Sequence, residues 1–293
     1  MGPIATAELA AAVTQSGALG MLGGEGLSIE ALDANLSRIK ELTGGPFGVN
    51  FIIPFLENLE TVRFAAARCR VVEFFYGMPN EELVRVVHSG KALAAWQIGS
   101  AQEARAAADS GCDFVIAQGL EAGGHLRGQL GRNALLSEVL NAVEIPVLAA
   151  GGIGSGRDTA SAIADGASGV RVGTRFVAAA ESGAHRLYVQ ALIDSMPSDT
   201  VITEVFCRNW KNAPHRVLRS CVSAAINHQG DVVGETDGRD VHRFSGSEPL
   251  KQTTGTIGAM CLYAGESVGE VKAIQPASAI VEQLMAEMVG AAS

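Results

Sequence analysis

The stretch of sequence that decides the fold is Val115-Ile116-Ala117-Gln118-Gly119-Leu120-Glu121-Ala122-Gly123-Gly124-His125. It begins as an apolar run and ends in a loop that carries a glutamate, three glycines and a histidine. In α/β barrels, a buried parallel strand delivers functional groups at its carboxyl end in this way. The glycines let a flat ligand approach the backbone closely, and a histidine can transfer a proton near neutral pH. The stretch therefore predicts a buried parallel strand followed by a functional loop.

Two later strands are predicted to end in glycine-rich turns, one in Leu148-Ala149-Ala150-Gly151-Gly152-Ile153-Gly154 and the next in Val170-Arg171-Val172-Gly173-Thr174. Glycines ahead of a helix expose amide donors, and the helix dipole favours an anion at that end. In barrels the last two such loops commonly hold a phosphate group. We therefore expect these turns to bind the phosphate of a cofactor; the alternative interpretation is two tight turns without a ligand.

Helix and strand patterns alternate along the first part of the chain. Roughly seven strands can be counted, one fewer than a closed (β/α)8 barrel requires. The chain begins with a helix pattern at Thr6–Gln15, so the place of the remaining strand would be before Met1. We predict a TIM (β/α)8-type barrel that lacks its usual first strand. An open doubly wound sheet is the competing architecture, but it usually needs fewer units.

Residues 196–254 break the alternation. Within them, residues 231–249 are polar, rich in glycine and charge, and show no convincing helix or strand. We interpret 196–254 as an inserted lid over the barrel mouth, and residues 1–195 and 255–293 as the barrel domain. The segment Gly255–Leu262 is predicted to be a helix that packs back on the barrel.

The composition indicates a folded protein with a large core. The chain has 293 residues, of which 47% are hydrophobic and 18% charged, and its formal net charge is −9. It contains no basic cluster that would bind nucleic acid, and no apolar run reaches the roughly 20 residues of a membrane span. The first residues lack the pattern of a signal peptide. We expect a cytoplasmic protein without nucleic-acid or membrane partners, and a homodimer is a possible assembly.

The five cysteines are odd in number and widely spaced, and none of them forms a CxxC pair: they are Cys69, Cys112, Cys207, Cys221 and Cys261. This pattern is typical of reduced thiols in the cytoplasm. It gives no support to a zinc site, and we predict no metal centre.

His125 is the candidate catalytic base. Its glycine-rich surroundings place it in a loop rather than on a packed helix face, at a strand end beside the predicted cofactor. The other histidines are weaker candidates: two lie in helix patterns and three in the predicted lid, namely His88, His185, His215, His228 and His242.

Four polar residues near the strand ends have two interpretations each. Asn50 and Gln118 lie in buried strands, where an amide needs partners, so they either satisfy the core or bind a flat heterocycle. Glu121 either accepts a hydrogen bond and orients a ligand, or begins a helix. Arg171 either helps to neutralise a phosphate or pairs with an acid. Tyr263 and Trp210 are further candidates for the lining of a substrate pocket.

Four stretches of the chain belong together: Phe47-Gly48-Val49-Asn50, Gln118-Gly119-Leu120-Glu121-Ala122-Gly123-Gly124-His125, Ala149-Ala150-Gly151-Gly152-Ile153 and Val172-Gly173-Thr174-Arg175-Phe176. Together they resemble the nitronate monooxygenase family, formerly called 2-nitropropane dioxygenases. The similarity runs from Met1 to about Glu181 and resumes at Tyr263–Gly269. The family also contains flavin-dependent enoyl-ACP reductases and NADH:quinone reductases.

The resemblance implies an FMN-binding TIM barrel in which His125 matches the catalytic histidine that deprotonates a neutral nitroalkane or assists at the flavin. The residues expected to hold FMN are Asn50, Gln118, Gly123, Gly124, Gly151, Gly152, Arg171, Gly173 and Thr174. Members usually have glutamine at the position of Arg171. They also carry a strand and a Pro-Met turn before the first helix, and Met1-Gly2 resembles the end of that turn.

The reaction implied by the resemblance is oxidation of an alkyl nitronate, with electrons passing to FMN and with O2 as co-substrate, to a carbonyl compound and nitrite. A second hypothesis keeps the flavin and takes electrons from NAD(P)H, which makes the protein an enoyl or quinone reductase. The chain has no Rossmann-type GxGxxG after a strand, but such reductases bind nicotinamide transiently over the flavin. A third hypothesis is a binding protein without flavin.

Overall fold

The computed structural model describes residues 1–292, and its centre is a sheet of seven parallel strands. These strands are β1 (Gly20–Gly23), β2 (Phe47–Ile52), β3 (Val71–Phe75), β4 (Leu93–Ile98), β5 (Phe114–Gln118), β7 (Val147–Ala150) and β8 (Gly169–Arg171). The short strand β6 (Gly124–His125) follows β5 in the chain but belongs to a second sheet. Each strand of the large sheet pairs in parallel with the next, so β1 and β8 form its edges. The sheet curls into a half-barrel, which confirms the TIM-type prediction.

Helices cover the outside of this half-barrel: α1 (Ala7–Gln15), α2 (Ile29–Leu42), α3 (Leu59–Ala66), α4 (Glu81–Ser89), α5 (Ala101–Asp109), α6 (Arg132–Leu140), α7 (Gly156–Ala164) and the short α8 (Thr174–Val177). Several begin where the sequence offers a side-chain acceptor for a first-turn amide. The hydroxyls of Thr6, Ser28 and Ser100 accept such bonds at α1, α2 and α5. Apolar side chains of these helices meet the outer faces of the strands in one large core cluster.

The chain after α8 continues through α9 (Arg186–Ile193), β9 (Thr200–Thr203), β10 (His215–Leu218) and α10 (Arg219–Asn227). Strand β10 pairs antiparallel with β9 on one side and with β6 on the other. This three-stranded sheet joins the segment that we interpreted as a lid to the loop after β5. The long helix α11 (Ala277–Ala292) then packs against α7 and α1.

Two sequence expectations in this part of the chain are wrong. Residues 231–249 contain a β-hairpin, formed by β11 (Val232–Thr236) and β12 (Arg239–His242). Both residues of its turn, Asp237-Gly238, have positive φ. This dipeptide favours such a turn, and we overlooked it. Gly255–Leu262 is not a helix: Thr254–Gly255 is the strand β13, beside β11, and only Ile257–Ala259 forms a single 3-10 turn. A φ of +106° at Gly255 is incompatible with a right-handed helix.

Neither a disulfide nor a cluster of potential metal ligands occurs within residues 1–292, where all five cysteines are free. No helix in the described part of the chain is long and apolar enough to cross a membrane.

Candidate active site

His125 lies at the carboxyl end of the barrel, on β6, and pairs in register with His215 on β10. The centroids of the two imidazole rings are 5.3 Å apart. The ring of Trp210 lies over His125 with centroids 4.0 Å apart, and the rings of Tyr263 and Tyr76 stand at 5.5 Å and 6.0 Å. We call this group of Tyr76, Trp210 and Tyr263 around the two histidines the aromatic chamber. The structure thus brings the predicted base together with both aromatic residues suggested for the pocket.

Three polar atoms at this site are buried and have no hydrogen-bond partner among the described residues: His125 Nε2, His215 Nε2 and Gln118 Oε1. The other end of the Gln118 amide is used, because its Nε2 donates to the carbonyl oxygen of His125 at 3.1 Å. Buried polar atoms in folded proteins are almost always paired with protein, water or a ligand. Three unpaired atoms on residues that contact one another therefore indicate a place where a polar ligand binds.

Both histidines are neutral near pH 7. Burial lowers the pKa of His125 to about 3, and a smaller contribution comes from the neighbouring His215. Burial also lowers the pKa of His215, although a hydrogen bond to the backbone of Ala213 opposes the shift. A neutral imidazole has one nitrogen with a free lone pair, so each ring can accept a proton or a hydrogen bond.

The turn between β7 and α7 offers fewer free amides than the sequence suggested. The amides of Gly154 and Ser155 donate to Asp158, and the amide of Gly156 donates to Glu287 of α11. Carboxylates of the protein therefore already occupy the amino end of α7. The donors left open lie just before it, at Gly152 and Ile153, whose amides have no acceptor within residues 1–292.

Gly152 is required by its surroundings. Its φ is +67°, and a Cβ atom there would stand 2.9 Å from Cβ of Glu121. Gly151 also has a positive φ, of +106°. Glycine adopts positive φ at both positions without the steric cost that a side chain would bring.

The turn after β8 contributes the amides of Gly173 and Thr174, which likewise have no acceptor among the described residues. The hydroxyl of Thr174 is occupied, because it accepts a bond of 3.0 Å from the amide of Gly265. Gly123 meets the same segment: a Cβ atom there would lie 2.4 Å from the nitrogen of Gly265. Gly124 has a φ of +79° with open space on its Cβ side. The structure thus gives Gly123 a packing role, whereas Gly173 and Gly124 stay accessible.

Arg171 forms an ion pair with Glu73 of β3, inside the half-barrel. Asn50 donates to the same carboxylate at 2.9 Å. Burial lowers the pKa of Arg171 to about 10, which leaves it charged at neutral pH. Of the two interpretations of Arg171, pairing with an acid is observed. We missed Glu73, although a single charge within Val71-Val72-Glu73-Phe74-Phe75 indicates a buried partner.

Glu121 accepts a bond of 2.8 Å from the amide of Arg132, the first residue of α6. It therefore caps this helix from the preceding loop. A cleft of about 440 Å³ lies beside it and has Gly152, Arg132 and Glu266 among its walls. Gly152, which carries one of the unpaired amides of the turn after β7, is therefore accessible from this cleft.

Comparison with known proteins agrees with this architecture. The sequence model of the nitronate monooxygenase family matches residues 1–69 and 56–287. A "probable nitronate monooxygenase" of Staphylococcus haemolyticus is 31% identical over 248 residues, covering 69% of this chain and 69% of that protein. A protein of Rhodococcus jostii named (3aS,4S,5R,7aS)-5-hydroxy-7a-methyl-1-oxo-octahydro-1H-indene-4-carboxyl-CoA dehydrogenase is 32% identical over 255 residues, covering 87% and 71%.

Two solved structures extend the similarity over the whole fold. FabK from Thermotoga maritima has a TM-score of 0.84 and 30% identity, covering 100% of this chain and 91% of that chain. Nitroalkane oxidase from Streptomyces ansochromogenes has a TM-score of 0.80 and 28% identity, covering 99% and 94%. The family match spans nearly the whole chain and its named relatives are oxidoreductases. The chain is therefore an oxidoreductase that belongs to the nitronate monooxygenase family.

Proposed function

We propose that the protein binds FMN at the carboxyl ends of the barrel strands and uses O2 to oxidise small nitroalkanes or their nitronates to a carbonyl compound and nitrite. The observation that carries the proposal is the buried, unpaired Nε2 of His125. This atom lies among the rings of the aromatic chamber, and Gln118, whose Oε1 is also unpaired, binds the backbone of the same histidine. It is the arrangement that a base needs to reach a small carbon acid in a shielded site.

The residues present fit FMN. The open amides of Gly152, Ile153, Gly173 and Thr174 would hold its phosphate, since backbone donors at such turns bind anions. The free Oε1 of Gln118 would accept a hydrogen bond from an N–H group of the flavin ring. Arg171 lies at the end of β8, two residues before Gly173, and its charge there is balanced by Glu73. When bound, FMN supplies the acceptor for the electrons that leave the substrate.

His125 would remove the proton from the carbon that carries the nitro group. Because the ring is neutral at pH 7, one of its nitrogens has a free lone pair and can accept a proton without first losing one. Trp210 and Tyr76 would confine the substrate and keep water away from the base. Gln118 would hold the backbone of His125 in place through its bond to the carbonyl oxygen.

The test compares neutral nitroethane with preformed ethyl nitronate, which has already lost the proton. We expect His125→Ala to retain FMN and to lose about 100-fold or more of its turnover of nitroethane. Turnover of saturating ethyl nitronate should change much less, because no base is needed. His88→Ala, at an exposed site on α4, is the matched control. Unchanged oxidation of nitroethane by His125→Ala would remove His125 from the mechanism.

A second candidate is an NAD(P)H-dependent reductase that acts on an enoyl or other thioester, or on a quinone. It is favoured by the similarity to FabK over the full chain and by the relative whose name contains a carboxyl-CoA substrate. The two candidates differ in the electron donor. Anaerobic addition of ethyl nitronate should bleach the flavin spectrum if the first proposal is right. Bleaching by NADH alone would replace it with the second.

A further inference from the structure

His215 adds to the aromatic chamber a second buried ring nitrogen that has no hydrogen-bond partner among the described residues. Its Nδ1 lies 2.8 Å from the carbonyl oxygen of Ala213. Because a carbonyl only accepts hydrogen bonds, Nδ1 must carry the hydrogen, and the lone pair of the neutral ring is at Nε2. That atom is buried and has no partner within residues 1–292, like Nε2 of His125. Phe206 and Tyr263 pack around the ring and fix it, with centroids 6.0 Å and 5.8 Å away.

We propose that His125 and His215 form a paired site that binds a small planar oxyanion together with one proton. The identification of that anion as a nitronate rests on the proposed function, whereas the coupled binding of anion and proton does not. In the empty site both rings are neutral. On binding, one proton from solvent joins one of the rings, and the resulting N–H donates to an oxygen of the anion. The anion and the added proton together leave the net charge of the site unchanged.

The surroundings of the pair explain why a proton must accompany the anion. The ionisable groups that face it are Tyr76, Tyr263, the Cys207 thiol, Glu204, Arg127 and the Met1 amine. Arg127 is already paired with Glu103, and Glu204 is an acid. Burial lowers the pKa of the Met1 amine, which favours its uncharged form, so none of these groups offers a free positive charge. An anion buried beside uncharged groups loses its hydration without compensation. A newly formed imidazolium provides the missing charge.

Only one proton is expected. Two imidazolium rings whose centroids are 5.3 Å apart would repel each other, so protonation of one ring suppresses protonation of the other. The affinity for an anion should therefore fall about tenfold for each pH unit above neutrality, because one proton is taken up with each anion.

Propionate is a suitable probe, since its planar carboxylate resembles a nitronate but cannot be oxidised by loss of nitrite. Binding is measured by calorimetry on the purified protein with its flavin retained, in buffers of different ionisation enthalpy. Wild-type protein should bind propionate with uptake of about one proton at pH 7. His215→Asn should bind it about 10-fold or more weakly, because its amide keeps the bond to Ala213 but lacks the second nitrogen. His215→Phe, which loses both, shows how much of the effect comes from the bond to Ala213.

Three results would overturn the proposal: no binding of propionate, binding without proton uptake, or unchanged binding by His215→Asn. None of these measurements involves electron transfer. A protein that binds propionate with one proton but does not oxidise nitroethane would therefore contradict the proposed function and leave the paired site intact.

Discussion

The guanidinium of Arg216 donates two hydrogen bonds to the carbonyl oxygen of Leu120, from Nε at 3.0 Å and from Nη2 at 2.9 Å. Arg216 lies on β10, and Leu120 lies in the loop between β5 and His125. The same side chain also donates to the hydroxyl of Thr200 and pairs with Glu266. One buried arginine therefore connects the segment after α9 to the loop that positions the candidate base.

We expect Arg216→Lys to lower the free energy of unfolding by about 1.5 to 3 kcal/mol, because one ammonium cannot replace the paired donors of the guanidinium. Oxidation activity should fall as well, since the loop with His125 loses its anchor. Urea unfolding and turnover rates measure the two effects. Arg219→Lys is the matched control, since Arg219 is exposed and makes a single bond of 3.3 Å to the Thr200 carbonyl. Equal losses in both variants would show that the contact with Leu120 has no special role.

A double-mutant cycle should measure the interaction energy between Glu73 and Arg171. Glu73→Met leaves the partly buried guanidinium of Arg171 without its partner, and we expect a loss of about 3 kcal/mol in the free energy of unfolding. Replacing both residues by methionine should restore much of this stability, since no charge is then buried. Additive effects of Glu73→Met and Arg171→Met would show that the ion pair contributes no coupling energy.

Local patterns predicted the parallel strands and the positions of the glycine-rich loops that follow them. The apolar run before Gln118 and the glycines after it are adjacent in the chain, so the strand and its loop can be read from one short stretch. Strand β11 could have been found in the same way, from the turn dipeptide Asp237-Gly238 that follows it. These features depend on neighbouring residues alone.

Other features depend on residues that are distant in the chain. His215 faces His125 only because β10 pairs with β6, and nothing in the sequence around His215 specifies that pairing. Arg171 on β8 contacts Glu73 on β3 only because the curled sheet brings these two distant strands together. The occupied amino end of α7 could not be foreseen either, because Glu287 reaches it from the last helix. Sequence patterns therefore identified single loops but not the distant residues that surround them.

A substitution at Gly152 tests whether the turn after β7 holds the phosphate of FMN, and Gly26 provides a control with the same backbone conformation. An alanine at Gly152 would place Cβ 2.9 Å from Glu121, at the point where we propose that FMN binds. We expect Gly152→Ala to weaken FMN binding about 10-fold or more, measured by fluorescence titration of the apoprotein. Gly26 has almost the same φ, +66° against +67°, but has open space around its Cβ position.

Gly26→Ala should therefore show only the cost of the left-handed backbone, about 1 to 2 kcal/mol in the free energy of unfolding, with FMN affinity unchanged. If both variants bind FMN as tightly as the wild-type protein, the turn after β7 does not hold the phosphate.

The depressed pKa of His125 predicts how stability depends on pH. In the folded protein this pKa is about 3, against 6.5 for an ordinary histidine. Between these values the unfolded chain binds a proton that the folded protein does not, so protonation favours unfolding as the pH falls from about 6.5 towards 3. Above pH 6.5 both states hold a neutral ring and the effect disappears. The total contribution is on the order of a few kcal/mol.

Carboxylates titrate in the same range, so the informative quantity is the difference between wild-type protein and His125→Asn. The slope of the unfolding free energy against pH should be smaller in the variant by up to one proton between pH 6 and 4, because the residue that gains this proton on unfolding is gone. His88→Asn, at an exposed position, provides the comparison. Identical slopes for His125→Asn and the wild-type protein would mean that His125 is protonated as readily in the folded state as in the unfolded chain. In that case the buried neutral base, on which both proposals depend, would not exist.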